Sequence, residues 1–163
     1  MEPAEGIKLL EQKFKSVLPR LPLLAGNEAV NFALDNFKRQ GFLGHAFQPW
    51  AIRKVGWKKD RRKGRNLLID TGRLRRSIRI VSLTQTSVTV GSDVKYAKAH
   101  NEGLRIGLIQ TVKGFTRKNG SEVKPHTRRI DQRIPRRQFL GESPYLNARI
   151  VRVFTAEFMK SLK

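Results

Sequence analysis

The spacing of apolar residues changes twice along this chain, and this limits the folds that it can adopt. Near the amino terminus they recur every three or four positions, at Ile7, Leu10, Phe14, Val17 and Leu18. Near the carboxyl terminus the same spacing returns, at Leu146, Ile150, Val153, Phe154 and Phe158. Between these stripes, residues 77–83 and 86–91 are rich in β-branched residues that alternate with polar ones. Helical spacing predicts helices and alternation predicts strands, so the sequence predicts an α+β protein.

Residues 1–41 predict a pair of helices. Pro19 and Pro22 end the first helix, because proline lacks the amide hydrogen that a helix interior requires. The second helix begins after Asn27, since asparagine is a favoured N-cap residue. It ends before Gly41, because glycine is favoured just past a helix end.

The middle of the chain predicts a loop followed by a sheet. Residues 42–66 show neither period and contain many basic residues, so they predict a basic loop whose aromatic side chains pack against the body. Residues 67–143 predict a small antiparallel β-sheet, in which strands over 77–83 and 86–91 pair across a short polar turn.

A long hairpin arm is predicted within this sheet region, over residues 104–133. Its first limb has strand composition, Asn119-Gly120 is a turn signal, and its return limb is too polar and basic for a buried sheet. Pro144 suits the first turn of a helix, so a C-terminal helix is predicted over 144–163. A chain of 163 residues without internal repeats predicts one domain over 1–163.

The charge of the chain indicates its partners more than its fold. Thirty-four Lys and Arg against thirteen Asp and Glu give a formal net charge of +21, which favours contact with polyanions or acidic protein surfaces. The charge does not distinguish DNA from acidic proteins, and Trp57 suits either stacking on a base or filling the core. Candidate residues facing such a partner are Lys58, Lys59, Arg61, Arg62, Lys63, Arg65, Lys113, Arg117, Lys118, Arg128 and Arg129.

The chain shows no pattern of an assembled catalytic site. The run Leu67–Gly72 resembles the active-site turn of aspartic proteases, but those enzymes need two carboxylates that share a proton. A flanking cluster of arginines would disfavour a proton shared between Asp70 and a second carboxylate. The simpler interpretation is that Asp70 or Thr71 caps a short helix over 70–76. We therefore predict that the protein is not an enzyme.

Metal, cofactor and membrane sites are also not predicted. The chain has no cysteine, and its three histidines lack the spacing of zinc ligands. No phosphate-binding glycine motif occurs, so no cofactor is expected. No apolar run approaches the roughly 20 residues that span a bilayer, and the start does not read as a signal peptide. His100, at the end of a predicted short helix, is interpreted as a capping or interface residue.

Several short motifs follow one another in a specific order: Pro49-Trp50, the run 68–78, Val90-Gly91-Ser92, Tyr96-Ala97, the run 100–103 and the run 134–141. This succession, over about Phe42 to Ile150, resembles the virion-morphogenesis (tail-completion) family of tailed bacteriophages, related to Mu-type and P2-type neck proteins. The candidate family and assembly positions are Trp50, Thr71, Gly72, Leu74, Ser77, Ile78, Tyr96, His100, Gly103, Pro135, Arg137 and Phe139.

The resemblance implies a non-catalytic structural subunit. Such a subunit assembles as a ring, expected to be a hexamer, at the head–tail junction of the virion after synthesis in the host cytoplasm. Its partners are copies of itself, the connector and tail-tube or sheath proteins, with genomic DNA in the lumen. Residues 104–133 are longer and more basic than the family pattern requires, and with the loop 58–65 we predict that they face other chains or DNA. The alternative is a basic RNA- or DNA-binding protein of ribosome-associated or nucleoid type.

Overall fold

The computed structural model describes residues 3–53 and 64–163. It confirms the α+β class, with long helices at both ends and short antiparallel strand pairs between them. In chain order the elements are α1 (Pro3–Val17), a 3-10 turn (Leu18–Arg20), α2 (Leu21–Arg39), β1 (Gly41–Leu43), β2 (Phe47–Pro49), α3 (Arg73–Arg76), β3 (Arg79–Leu83), β4 (Val88–Gly91), α4 (Ala97–Glu102), β5 (Leu104–Val112), β6 (Phe115–Thr116), β7 (Glu122–Val123), β8 (His126–Ile134) and α5 (Pro144–Leu162).

The boundaries of α2 differ from the prediction at both ends. The helix begins at Leu21 rather than after Asn27, because Pro22 lies in the first turn, where its missing amide hydrogen leaves no helical bond unmade. At the other end Gln40, not Gly41, adopts the left-handed conformation, with φ of 57°. Gly41 instead starts β1, where an added Cβ would lie 2.6 Å from the Gln48 carbonyl oxygen.

The C-terminal helix α5 is confirmed, with Pro144 in its first turn and Ser143 as its N-cap. The Ser143 hydroxyl accepts a hydrogen bond from the Leu146 amide at 3.3 Å and donates one to the Leu43 carbonyl at 2.6 Å. Helix α5 packs on α2 and α1. The apolar stripe of α5 provides this contact, although none of its side chains is fully buried.

The strands form four separate two-stranded antiparallel sheets instead of one small sheet. Hairpin β1–β2 is only three residue pairs long and, apart from Gly41, lies within the segment 42–66, which the sequence predicted as a loop. The pairing of β3 with β4 is confirmed, with an irregularity between Ile80 and Ser82. Strands β5 and β8 pair over nine residues, and β6–β7 continues the hairpin.

The core forms where α2, α3, α4 and the segment before α5 meet. Phe37 is the centre of its aromatic packing: its ring lies 5.4 Å from Trp50, edge to face, and 5.1 Å from Phe139. The cluster of buried residues comprises Ala33, Phe37, Trp50, Leu74, Ile78, Val94, Ala97 and Phe139. None of the helices in the described ranges is long and apolar enough to cross a membrane.

Candidate assembly surfaces

The β5–β8 hairpin forms an arm whose strands pack mainly against each other and not against the body. The register from Leu104↔Ile134 to Val112↔His126 decides which side chains share a face. Because successive residues of a strand point to opposite faces, one face is largely apolar. We call it the apolar arm face; its apolar members are Leu104, Ile106, Leu108, Val112, Ile130 and Ile134.

The opposite face of the arm is basic. Arg105 lies directly across from Arg133, and their mutual repulsion is offset by Asp131. The Arg105 guanidinium donates two hydrogen bonds to the Asp131 carboxylate, at 3.1 and 2.8 Å, and this pairing lowers the pKa of Asp131. Arg129 and Ile109 lie across from each other on the same face.

The basic residues of the arm that the sequence singled out are all exposed in the single chain. They do not form one surface, because Arg128 and Arg129 point to opposite faces, and Arg128 donates a hydrogen bond to Gln110 at 2.9 Å. Lys113, Arg117 and Lys118 lie towards the tip, where the predicted Asn-Gly turn is confirmed by a bond from the Gly120 amide to the Arg117 carbonyl.

The second predicted basic segment is described only at its end. Arg65 is exposed, and its guanidinium lies 3.3 Å from the Asp70 carboxylate. The remaining predicted residues lie outside the described residues: Lys58, Lys59, Arg61, Arg62 and Lys63.

Four of the family-motif positions are core residues. Trp50, Leu74, Ile78 and Phe139 are all buried in one cluster. The Trp50 indole also donates a hydrogen bond to the Gln138 carbonyl at 2.7 Å, which ties the segment before α5 to the hairpin β1–β2. These side chains hold the segments around them in place.

The segment between β8 and α5 is fixed by two asparagines that the sequence interpretation did not single out. The Asn101 side-chain oxygen accepts hydrogen bonds from the Phe139 and Leu140 amides, at 3.0 and 2.9 Å. Asn36, which is almost fully buried, donates to the Phe139 carbonyl at 3.3 Å. Asn101 belongs to the run 100–103, so its side chain links that motif to the run 134–141.

The turn before α3 differs from the predicted cap. Gly72, with φ of 74°, is the N-cap residue, so the cap position is neither Asp70 nor Thr71 as predicted. The Thr71 hydroxyl, one residue earlier, still accepts a long hydrogen bond of 3.4 Å from the Arg73 amide in the first turn of the helix. After the helix, the buried Ser77 hydroxyl donates to the Leu74 carbonyl at 2.7 Å.

Gly103 and Pro135 lie at the base of the arm, beside an open cleft of about 410 Å³. Gly103 ends α4 with φ of 81° and ψ of 155°, a conformation that is essentially restricted to glycine. An added Cβ would also lie 3.1 Å from the Arg136 amide nitrogen. This glycine therefore sets the direction in which the arm leaves the body.

A second open cleft, of about 320 Å³, brings together residues from four distant parts of the sequence. We call it the arginine cleft, after the three arginines among its lining residues. Its lining includes three predicted positions that lie outside the core: Thr71, Tyr96 and His100. A fourth predicted position, Arg137, also lines the cleft. The Tyr96 and His100 rings lie edge to face, 5.9 Å apart, and the Arg137 amide donates to the His100 carbonyl at 2.7 Å.

Positive charge is concentrated at this cleft. Burial, and secondly the positive charge of Arg53, lower the pKa of Arg137. Burial, and secondly Arg137, lower the pKa of His100. Within the ranges 3–53 and 64–163, no group of three or more His, Cys, Asp and Glu residues is placed to hold a metal ion.

Comparison with known proteins identifies the family. The sequence matches the model of the phage virion morphogenesis family over residues 26–158, which include most of α2, the arm and most of α5. No curated protein and no solved structure matches the chain significantly. The match covers well over half of the 163 residues and all of the motifs described above. The chain therefore belongs to the phage virion morphogenesis family, and its role lies in the structure or assembly of a phage virion.

Proposed function

We propose that this chain is a structural subunit that forms a closed ring, a hexamer, at the head–tail junction of a tailed phage. In this position it completes the tail and joins it to the connector, and the phage genome passes through the lumen. The family supports the virion role. The observation that carries the ring is the uncovered apolar arm face.

The apolar arm face needs a partner, because an isolated two-stranded hairpin is only marginally stable in water. Leu104 and Leu108 are 43% and 44% exposed, although their neighbours across the strands include Ile134 and Ile130. A contiguous apolar surface of this kind on a small domain marks a protein contact site. Packing against another chain would remove these side chains from water and hold the arm in one conformation.

A second copy of the chain supplies a suitable acceptor surface. Helices α1 and α5 carry apolar side chains that the body leaves exposed, among them Ile7, Leu10, Val151 and Met159. An arm from one copy on the helices of the next is a head-to-tail contact, and such contacts form closed rings when the rotation between copies permits it. The ring is thus proposed from two exposed apolar surfaces on one chain, whereas the number of six copies is proposed from the resemblance to tail-completion proteins alone.

The charge of the ring requires compensation. Six copies at +21 each would carry about +126. The copies would repel one another unless neighbouring groups neutralise this charge, or unless the like charges lie further apart than a Debye length of about 8 Å. The basic face with Arg105, Arg129 and Arg133 points away from the apolar arm face. When the apolar face is packed on the adjacent copy, these arginines remain available to DNA phosphates in the lumen or to acidic neighbouring proteins.

Adjacent residues of β5 provide a matched test of the arm contact. Leu108→Ser removes an apolar side chain from the apolar arm face, whereas Ile109→Ser changes its neighbour on the basic face. We expect the first variant to lower the oligomeric mass measured by light scattering and the second to retain it, although Ile109 is the more exposed side chain at 77%. Equal loss in both variants, or a wild-type chain that stays monomeric at all concentrations, contradicts the arm contact.

The position in the virion is tested with phage particles made without this chain. We expect filled heads and finished tails that remain unjoined when examined by negative-stain electron microscopy. Supplying the wild-type chain in trans should restore joined virions, and supplying the Leu108→Ser variant should restore few. Intact joined virions in its absence would eliminate an essential joining role.

A further inference from the structure

Arg137 is a nearly buried cation that forms no ion pair with an acidic residue of the ranges 3–53 and 64–163. Its side chain is 8% exposed, yet within the described residues it makes no ion pair. Its guanidinium donates one hydrogen bond, from Nε to the Ala51 carbonyl at 3.0 Å. A guanidinium has five N–H groups, and arginine is rarely buried unless a charged partner is present. Arg137 therefore has donors left for an acceptor in the arginine cleft.

His100 leaves a second polar group without a partner beside Arg137. In the part of the chain that the structure describes, its Nδ1 is the only buried side-chain nitrogen or oxygen that makes no hydrogen bond. Asp70, the acidic residue among those that line the described cleft, is exposed and already pairs with Arg65. Buried polar groups normally have partners, and each exception calls for an explanation. An acceptor that enters the cleft would pair with the remaining donors of Arg137, and His100, which lines the same cleft, is placed to report its arrival.

We propose that the arginine cleft receives a carboxylate side chain, Asp or Glu, from a segment of another virion protein. This proposal rests on the proposed function at one point only: the partner is assumed to be another protein of the virion. Arg137 and Arg73 supply charged N–H donors, and Tyr96, 46% exposed, lies at the edge of the cleft with its ring against His100. Charge-assisted hydrogen bonds of this kind are about twice as strong as neutral ones.

The lining of the cleft favours a peptide carboxylate over the phosphates of DNA. Leu67, Leu68 and Ile69 provide half-buried apolar surface beside the arginines, and this suits an apolar residue next to the acidic one. A volume of about 320 Å³ accommodates one or two side chains and not a duplex backbone. DNA phosphates are instead matched by exposed basic surfaces such as the basic face of the arm.

A pair of dipeptides tests this proposal on the full-length protein. The probes are N-acetyl-Leu-Glu-amide and N-acetyl-Leu-Gln-amide, which differ only in the carboxylate. The ¹³C resonances of the three histidine imidazoles report binding, and the His100 signal is assigned with a His100→Gln variant. We expect the glutamate dipeptide to shift the His100 signal saturably, with a Kd of roughly 1–10 mM, and the glutamine dipeptide to cause no saturable shift.

Two arginine variants distinguish binding in the arginine cleft from a general attraction by the net charge of the protein. Arg73→Gln removes an exposed charge that lines the cleft, and Arg133→Gln removes one from the arm. We expect the first to weaken binding of the glutamate dipeptide about fivefold to tenfold and the second to leave it unchanged. Any of three results overturns the proposal. The first is an equal response of the His100 signal to both dipeptides, and the second is equal weakening of binding in both variants. The third is a His100 shift that a DNA oligonucleotide causes and the glutamate dipeptide does not. None of these results bears on the proposed ring, because the ring is tested separately by the oligomeric mass.

Discussion

Replacing Asn101 with alanine should destabilise the protein by about 2–4 kcal/mol. The side-chain oxygen accepts from the amides of Phe139 and Leu140, at 3.0 and 2.9 Å, and both bonds are partly buried. Each partly buried amide that loses its acceptor costs about 1–2 kcal/mol, so the loss of both bonds costs about 2–4 kcal/mol. The loss should detach the segment before α5 from α4 and loosen the packing of Phe139, which is 1% exposed.

Urea unfolding followed by circular dichroism measures this change directly. In a domain of this size, the predicted loss corresponds to a fall in Tm of roughly 5–15 °C. Asn101→Asp keeps both acceptor oxygens and should lose much less, whereas Asn147→Ala, at an exposed position of α5, is the control for replacing asparagine itself. A loss below about 0.5 kcal/mol for Asn101→Ala would show that the two bonds do not hold the segment before α5. The inferred link between the runs 100–103 and 134–141 would then be wrong.

Three further predictions use the same unfolding measurement. Gly103→Ala should cost about 1–3 kcal/mol, because the glycine conformation is closed to alanine; no loss would refute this. Arg149→Leu should cost about 1–3 kcal/mol, because its guanidinium bridges Glu28 and Asp35 at 2.8 and 3.0 Å; a gain would contradict it. Because the pKa of His100 is lowered by burial, the unfolded chain takes up that proton first, and stability should fall as pH drops below about 6.5. His100→Gln should reduce this loss; an unchanged pH profile would exclude His100 as its source.

Local sequence signals were sufficient to predict those elements whose residues have the conformational preferences that their positions require. Pro144 in the first turn predicted the start of α5, and the strand-forming run at Leu104–Val112 with its Asn-Gly turn predicted the arm. The start of α2 was missed because Pro22 is compatible with a first turn and does not break the helix there. Hairpin β1–β2 was missed because three-residue strands show no periodicity.

The arginine cleft was not predictable as a unit from the sequence. Its residues lie near positions 53, 70, 98 and 137, and only the folded chain brings them together. The motif positions Tyr96, His100 and Arg137 were recognised individually, but their spacing along the chain carries no information on their contacts. The role of Asn36 was also hidden, because a single asparagine inside a helix gives no sign that it is almost fully buried.

Cryo-electron microscopy of the assembled virion tests the central claim most directly. We predict a six-fold ring of this chain at the head–tail junction, in which Leu104 and Leu108 of each arm are covered by the adjacent copy. Density that shows these leucines facing solvent, or no copy of the chain between the connector and the tail, would contradict the account.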